Sequence, residues 1–206
     1  MTVLAFDVET RLLAGEVAER YASELEDSDA WSRPDLFGFA AGVMVDVDEG
    51  TARYYGPDQA AEMIEALEAA EATCGFNSSG FDLPVLSAYG DISAIYPRHL
   101  DLRTEIKQAL RASPEAEALG EKLYAGGLDA ICGANGLGGK TGSGVDAPGL
   151  YREGRILDLL RYCEADVRLT ASLYRLLGEG RLCVDPAYYS EGGERVQLGQ
   201  RIPLNL

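Results

Sequence analysis

The run Phe6-Asp7-Val8-Glu9-Thr10 constrains the fold of this chain more than any other feature. Residues 2–8 alternate and branch as a strand does, so successive side chains face opposite sides of a sheet. Asp7 and Glu9 then share one face, while Phe6 and Val8 point to the other. Two carboxylates held side by side repel each other. The pairing makes sense with a divalent cation between them, and equally as a solvated strand end that begins a loop. In either case the segment reads as the first core strand of a sheet.

The pattern downstream supplies the rest of that sheet. Residues 11–34 are polar, acidic and partly helical, an insertion after the first strand. Residues 36–47 and 51–55 read as two further strands joined by the turn Asp48-Glu49-Gly50. Pro57 marks the start of a helix running to about Glu71. A short strand at 73–76 leads into the loop Asn77-Ser78-Ser79-Gly80, with a helix after Asp82. His99-Leu100-Asp101-Leu102 reads as a last strand before a helix at 103–111. Ser113-Pro114 looks like a disordered turn, followed by a helix at 127–134, a glycine-rich loop at 136–149 and a long helix at 153–178. The tail, 181–206, is weakly patterned. Three strands followed by alternating helices and strands predict an α/β fold, a sheet with helices packed on it. At 206 residues and 47% hydrophobic composition, a single domain over 1–206 is expected.

Two more acidic residues stand out against this background. Asp82, in Gly75-Phe76-Asn77-Ser78-Ser79-Gly80-Phe81-Asp82-Leu83-Pro84, follows a polar loop just before a helix. It suits a helix cap with Pro84 in the first turn. On the long helix, Arg161, Glu164, Arg168, Ser172 and Arg175 form an outer charged face. The opposite stripe carries Leu159, Cys163, Asp166, Thr170, Leu173 and Leu177, with Tyr162 at its edge. Asp166 therefore falls where burial is expected, and a buried carboxylate needs a metal ion, an arginine or a backbone amide. Tyr162 lies one turn earlier, so its hydroxyl can reach the same space.

FDVET, then Asn-x-x-x-Phe-Asp, then Tyr-x-x-x-Asp, in that order, resembles the three exonuclease motifs of the DEDD superfamily, and the tyrosine resembles its DEDDy branch. GFNSSGFDLPVL and YCEADVRLTASLY are similar to the proofreading exonuclease domains of family B DNA polymerases and to standalone prokaryotic exonucleases. The resemblance implies a ribonuclease H-like fold, a mixed central sheet flanked by helices. It implies Asp7, Glu9, Asp82 and Asp166 as ligands of two Mg²⁺ or Mn²⁺ ions, roughly 3.5–4 Å apart, that activate water and stabilise the leaving 3′ oxygen. Tyr162 would orient that water. Thr10, Asn77 and Phe81 would lie on the substrate side, although Phe81 is equally suited to the core. The implied activity is 3′→5′ hydrolysis of single-stranded DNA or RNA from 3′ ends. The alternatives are a catalytically silent domain kept for binding or assembly, and an endonuclease using the same metal chemistry.

Charge limits how nucleic acid would be held. A formal net charge of −16 argues against a broad basic surface, but leaves room for a small site where metal ions meet phosphate. Of 18 basic residues only Lys107, Lys122 and Lys140 are lysines, a balance that fits a salt-adapted host or a GC-rich genome. The segment 134–141 fits a permissive phosphate-loop pattern, but a helix precedes it and glycines follow, which excludes a true P-loop. Lys140, in that flexible loop, is expected to touch the substrate backbone. His99 is too far from Asp166 in sequence to be the histidine of the sister DEDDh branch and reads as a core or surface imidazole. Asp101 reads as a helix start or as support for the acidic residues. The four cysteines form no CxxC pair. With no membrane-spanning run and no signal-peptide pattern, a cytoplasmic protein with reduced thiols is expected.

Overall fold

The strand β1 (Val3–Thr10) is covered on both faces, and the rest of the chain is arranged around it. The computed structural model describes residues 2–25, 29–119, 122–139, 146–190 and 193–204. On one side β1 pairs antiparallel with β2 (Phe39–Asp46), which pairs antiparallel with β3 (Ala52–Tyr55). On the other it runs parallel to β4 (Ala72–Gly75), which runs parallel to β5 (His99–Asp101). The order β3-β2-β1-β4-β5 is a mixed five-stranded sheet, and with helices on its faces it gives the expected ribonuclease H-like α/β fold. The turn from β2 to β3 forms as its sequence predicts. The Asp46 carboxylate accepts from the N–H groups of Asp48 and Glu49, both at 2.9 Å, and Gly50 takes φ 72°.

The helices are α1 (Ala14–Arg20), α2 (Ala60–Ala69), α3 (Asp82–Ser87), α4 (Leu102–Arg111), α5 (Pro114–Leu119), α6 (Leu128–Ala134), α7 (Ala147–Arg152) and α8 (Ile156–Gly178). No described helix is long and apolar enough to cross a membrane. Strand alternation sorts β1 as predicted. Leu4, Phe6 and Val8 pack with Met63, Ile64 and Leu67 of α2 and Leu83 and Leu86 of α3. Val3 and Ala5 face the other way, against Cys163, Val167 and Ala171 of α8. These small side chains let α8 lie close to the sheet, on the face that carries Asp7 and Glu9.

Several boundaries differ from the sequence expectation. Helix α2 begins at Ala60, because Pro57 lies in a preceding turn closed by Gln59 N–H to Gly56 O at 3.0 Å. Ser113-Pro114 is not disordered: Pro114 opens α5, where its missing N–H costs nothing. The long helix starts three residues late, since Gly154 at φ 69° separates it from α7. The insertion is less polar in space than in sequence, with Val17 and Ala30 buried against the main core. The weakly patterned tail is also ordered over its described residues. Strands β6 (Cys183–Val184) and β9 (Ile202–Pro203) pair, as do β7 (Ala187–Tyr189) and β8 (Arg195–Gln197). Leu182, Val184, Ile202 and Leu204 join Leu102, Ile106 and Leu110 of α4 in a second core cluster. Short strands with few alternating positions leave little periodicity to detect.

Candidate active site

Because β4 pairs with β1 only over Val3–Ala5, the end of β1 has an open edge, and α3 fills it. Asp82, the first residue of α3, accepts the Val8 N–H on Oδ1 at 2.9 Å, which fixes α3 to the strand between Asp7 and Glu9. The other edge of β1 is irregular at the same level. Glu9 pairs with Ala41 and Thr10 with Phe39, so Ala40 is bulged out. A bulge re-aims neighbouring side chains, and this one lies beside Glu9.

Asp82 and Glu9 are buried, Asp7 is half-buried, and Asp166 enters from α8 at 4% exposure. Burial raises the Asp82 carboxyl to about 6, while the Val8 N–H and a hydrogen bond shared with Asp7 oppose the rise. Cys163 sits at the focus of the group. Its thiol approaches the Asp7 carbonyl at 3.4 Å and Asp7 Oδ2 at 3.8 Å. Ligand atoms of Asp7, Glu9 and Cys163 all lie within 4.8 Å of one another. Burial first, and then the charges of Asp7, Glu9, Asp82 and Asp166, hold that thiol well above its ordinary range. Tyr162 faces the same field: burial, then Asp166, Glu9 and Asp7, raise its hydroxyl far above the usual phenol value. The structure therefore brings Asp7, Glu9, Asp82, Asp166 and Tyr162 together. Cys163, three residues before Asp166, completes the group without having been selected from the sequence, although helix spacing places it on the same stripe.

The loop before Asp82 is tied down from beneath. Asp101, buried at the end of β5, accepts Asn77 N–H at 3.0 Å and Ser79 N–H at 2.9 Å. The same carboxylate caps α4 through Arg103 N–H at 3.0 Å and Thr104 N–H at 3.3 Å. Its role is thus the predicted helix start and, in addition, the anchor of the loop. Asn77 takes φ 67°, a left-handed backbone that asparagine tolerates. Its Oδ1 accepts from Arg103 Nη1 at 2.7 Å, so its side chain points to the α4 terminus. Ser78 Oγ meets His99 Nε2 at 2.8 Å, and His99 Nδ1 meets Thr73 Oγ1 at 2.9 Å. Burial lowers the His99 imidazole to about 4, against a raising effect from Asp101. His99 is a half-buried structural residue that supports the loop. Gly75 leaves room for this arrangement, since a Cβ there would lie 2.2 Å from Ser78 Oγ.

The other expected substrate-side residues separate. Phe81 packs with Phe37 and Trp31 at ring-centroid distances of 5.2 and 5.7 Å, one face in the core and one toward the exposed indole. Thr10 is buried and its hydroxyl donates to Leu12 O at 3.1 Å. Lys140 lies outside the described residues.

No family model matches the chain, and no curated protein matches it either. Among solved structures, it is similar to the family B DNA polymerase from the hyperthermophilic archaeon Pyrobaculum calidifontis, with 17% identity and a TM-score of 0.56. The alignment covers 86% of this chain but 24% of the polymerase, so the chain spans about a quarter of that protein's length. At that identity the likeness establishes a shared fold, the mixed sheet and flanking helices described above.

Proposed function

We propose that the chain is a two-metal-ion 3′→5′ exonuclease acting on 3′ ends of single-stranded DNA or RNA. One observation carries the reading: four carboxylates from β1, α3 and α8 surround one buried thiol, and three of them also act on the neighbouring Tyr162 hydroxyl. Holding so many like charges together is costly, and divalent cations with oxygen ligands offset that cost. The donor set fits hard cations. Asp7, Glu9, Asp82 and Asp166 would hold Mg²⁺ or Mn²⁺, which take oxygen ligands in preference to the Cys163 sulfur. When bound, such ions supply a hydroxide nucleophile and stabilise charge on the leaving oxygen.

The chain's own residues do the rest. Tyr162 brings a hydroxyl that can donate a hydrogen bond into the field of Asp166, Glu9 and Asp7. It positions the attacking water or a phosphate oxygen. Asp82, fixed by the Val8 N–H, keeps its carboxylate at the strand end without a rotamer search. Phe81 and Trp31 offer an aromatic surface next to Asp82 for the terminal base. The 3′→5′ polarity rests on the likeness of the three motifs to the DEDDy branch.

The test is direct. Purified protein should shorten a 5′-labelled oligonucleotide from its 3′ end with Mn²⁺ or Mg²⁺, and EDTA should stop it. DNA and RNA run side by side would identify the preferred sugar. An Asp7→Ala variant that digests as fast as wild type would sink the proposal, and an inactive wild type would favour the silent-domain alternative.

A further inference from the structure

The described residues contain a second feature that a carboxylate site alone does not require. Between α4, α6 and the β7–β8 hairpin lies a cleft of about 360 Å³. In a chain with 34 acidic and 18 basic residues, its described lining holds Arg103, Lys107, Lys122 and Arg195 and no acidic side chain. Two of the three lysines in the protein are here. Several arginines elsewhere on the surface, such as Arg33, Arg155 and Arg168, sit in ion pairs with neighbouring carboxylates. None of the four cleft cations pairs with a described carboxylate. Arg103 and Lys107 lie one turn apart on α4 and point the same way.

Aromatic faces accompany the charge. Tyr124 and Tyr189 lie edge to face with centroids 5.3 Å apart, and both are exposed. Lys122 Nζ lies 5.6 Å from the Tyr124 ring centre. The hairpin is anchored here by paired backbone hydrogen bonds between Tyr124 and Ala187, at 2.8 and 2.9 Å. Arg103, at the rim of the cleft, donates to Asn77 in the loop that leads to Asp82.

Cations for phosphates, interleaved with aromatic faces for bases, are the chemistry that holds a single strand without reading its sequence. We propose that this cleft binds the body of a single-stranded nucleic acid whose end lies in the carboxylate site. The inference rests on the nuclease reading for the polarity of the strand, but not for the charge of the ligand. It reconciles a net charge of −16 with a polyanionic substrate by gathering four basic side chains, two of the three lysines among them, in one groove whose described lining holds no acid.

The experiment uses the full chain carrying Asp7→Ala, so that binding is separated from cleavage, and a fluorescein-labelled oligonucleotide of roughly 12 nucleotides, within the range such sites cover. Each phosphate contact on a single strand contributes about 0.7 to the slope of log affinity against log salt. Lys107→Ala with Lys122→Ala should therefore flatten that slope by about 1.4 and weaken binding on the order of 25-fold at ~0.1 M salt. Lys107→Arg with Lys122→Arg should restore binding, which separates charge from folding. In the cleaving protein, the alanine pair should lower the ratio of kcat/KM for the long strand to that for a dinucleotide. Equal affinity and equal slope in the alanine pair would overturn the proposal. A wild-type chain that binds through these lysines yet cleaves nothing would refute the nuclease reading and support the cleft.

Discussion

Asp101 offers the sharpest test of how the site is built, because one buried carboxylate accepts four backbone N–H groups from two elements. Asp101→Ala removes the cap of α4, worth about 1 kcal/mol, and orphans two part-buried loop amides, each costing about 1–1.5 kcal/mol, the low end for an unsatisfied donor. The expected loss is about 3–4 kcal/mol, a large share of a domain's stability. Asp101→Asn is more informative. Its oxygen can keep the three bonds made by Oδ1, to Asn77, Arg103 and Thr104, but an NH₂ group then faces the Ser79 N–H. Two donors in opposition should cost about 1–2 kcal/mol and loosen the loop next to Asp82. Urea unfolding followed by far-ultraviolet circular dichroism gives both stabilities, and amide hydrogen exchange at Ser79 reports the loop. If Asp101→Ala unfolds within about 0.5 kcal/mol of wild type, the size of an ordinary surface change, the carboxylate does not anchor the loop. If Asp101→Asn leaves Ser79 exchange unaltered, the reversed bond is not felt.

The remaining expectations concern the acidic cluster. Tyr162→Phe should lower kcat about 10–100-fold, the worth of one hydrogen bond in a charged site, while Mn²⁺ binding by calorimetry persists; an unaltered rate would remove the hydroxyl from the mechanism. The pH dependence of stability in EDTA should carry the sign of Asp82, whose folded value of about 6 lies above its ordinary 3.8. Between those values the folded state holds the extra proton, so stability should fall as pH rises from about 4 to about 6. Asp82→Asn should remove that component, and an identical slope in the variant would show that Asp82 is not the group responsible.

What the sequence revealed depended on how local each feature was. Strand alternation placed Asp7 and Glu9 on one face, and helical spacing placed Asp166 and Tyr162 on one stripe, because both periods are set within a few residues. Asp82 was less legible. Its position depends on β4 ending early and leaving the Val8 N–H open, a fact of sheet pairing that no window on the sequence contains. Asp101 showed its cap in sequence but not its hold on Asn77 and Ser79, residues more than twenty positions away. The cleft was invisible for the same reason. Arg103, Lys107, Lys122 and Arg195 are spread over some ninety residues, and Arg195 lies in a tail whose pattern was too weak to place.

The two sites differ in a way that joins their chemistry. The carboxylate cluster repels phosphate, and the cleft attracts it. Without cations, a strand held by Lys107 and Lys122 would have its end pushed away from Asp7, Glu9, Asp82 and Asp166 by like charge. Cations in the cluster reverse that sign locally, so metal should tighten the hold on the strand end more than on the strand body. By linkage the strand must tighten the hold on metal by the same factor. On this proposal an acidic surface becomes useful, because it leaves the basic groove and a cation-loaded cluster as the favoured places for phosphate. In the Asp7→Ala background, Mn²⁺ should raise affinity less than in a wild-type chain given an uncleavable strand, because one of the groups that would hold the cation is missing.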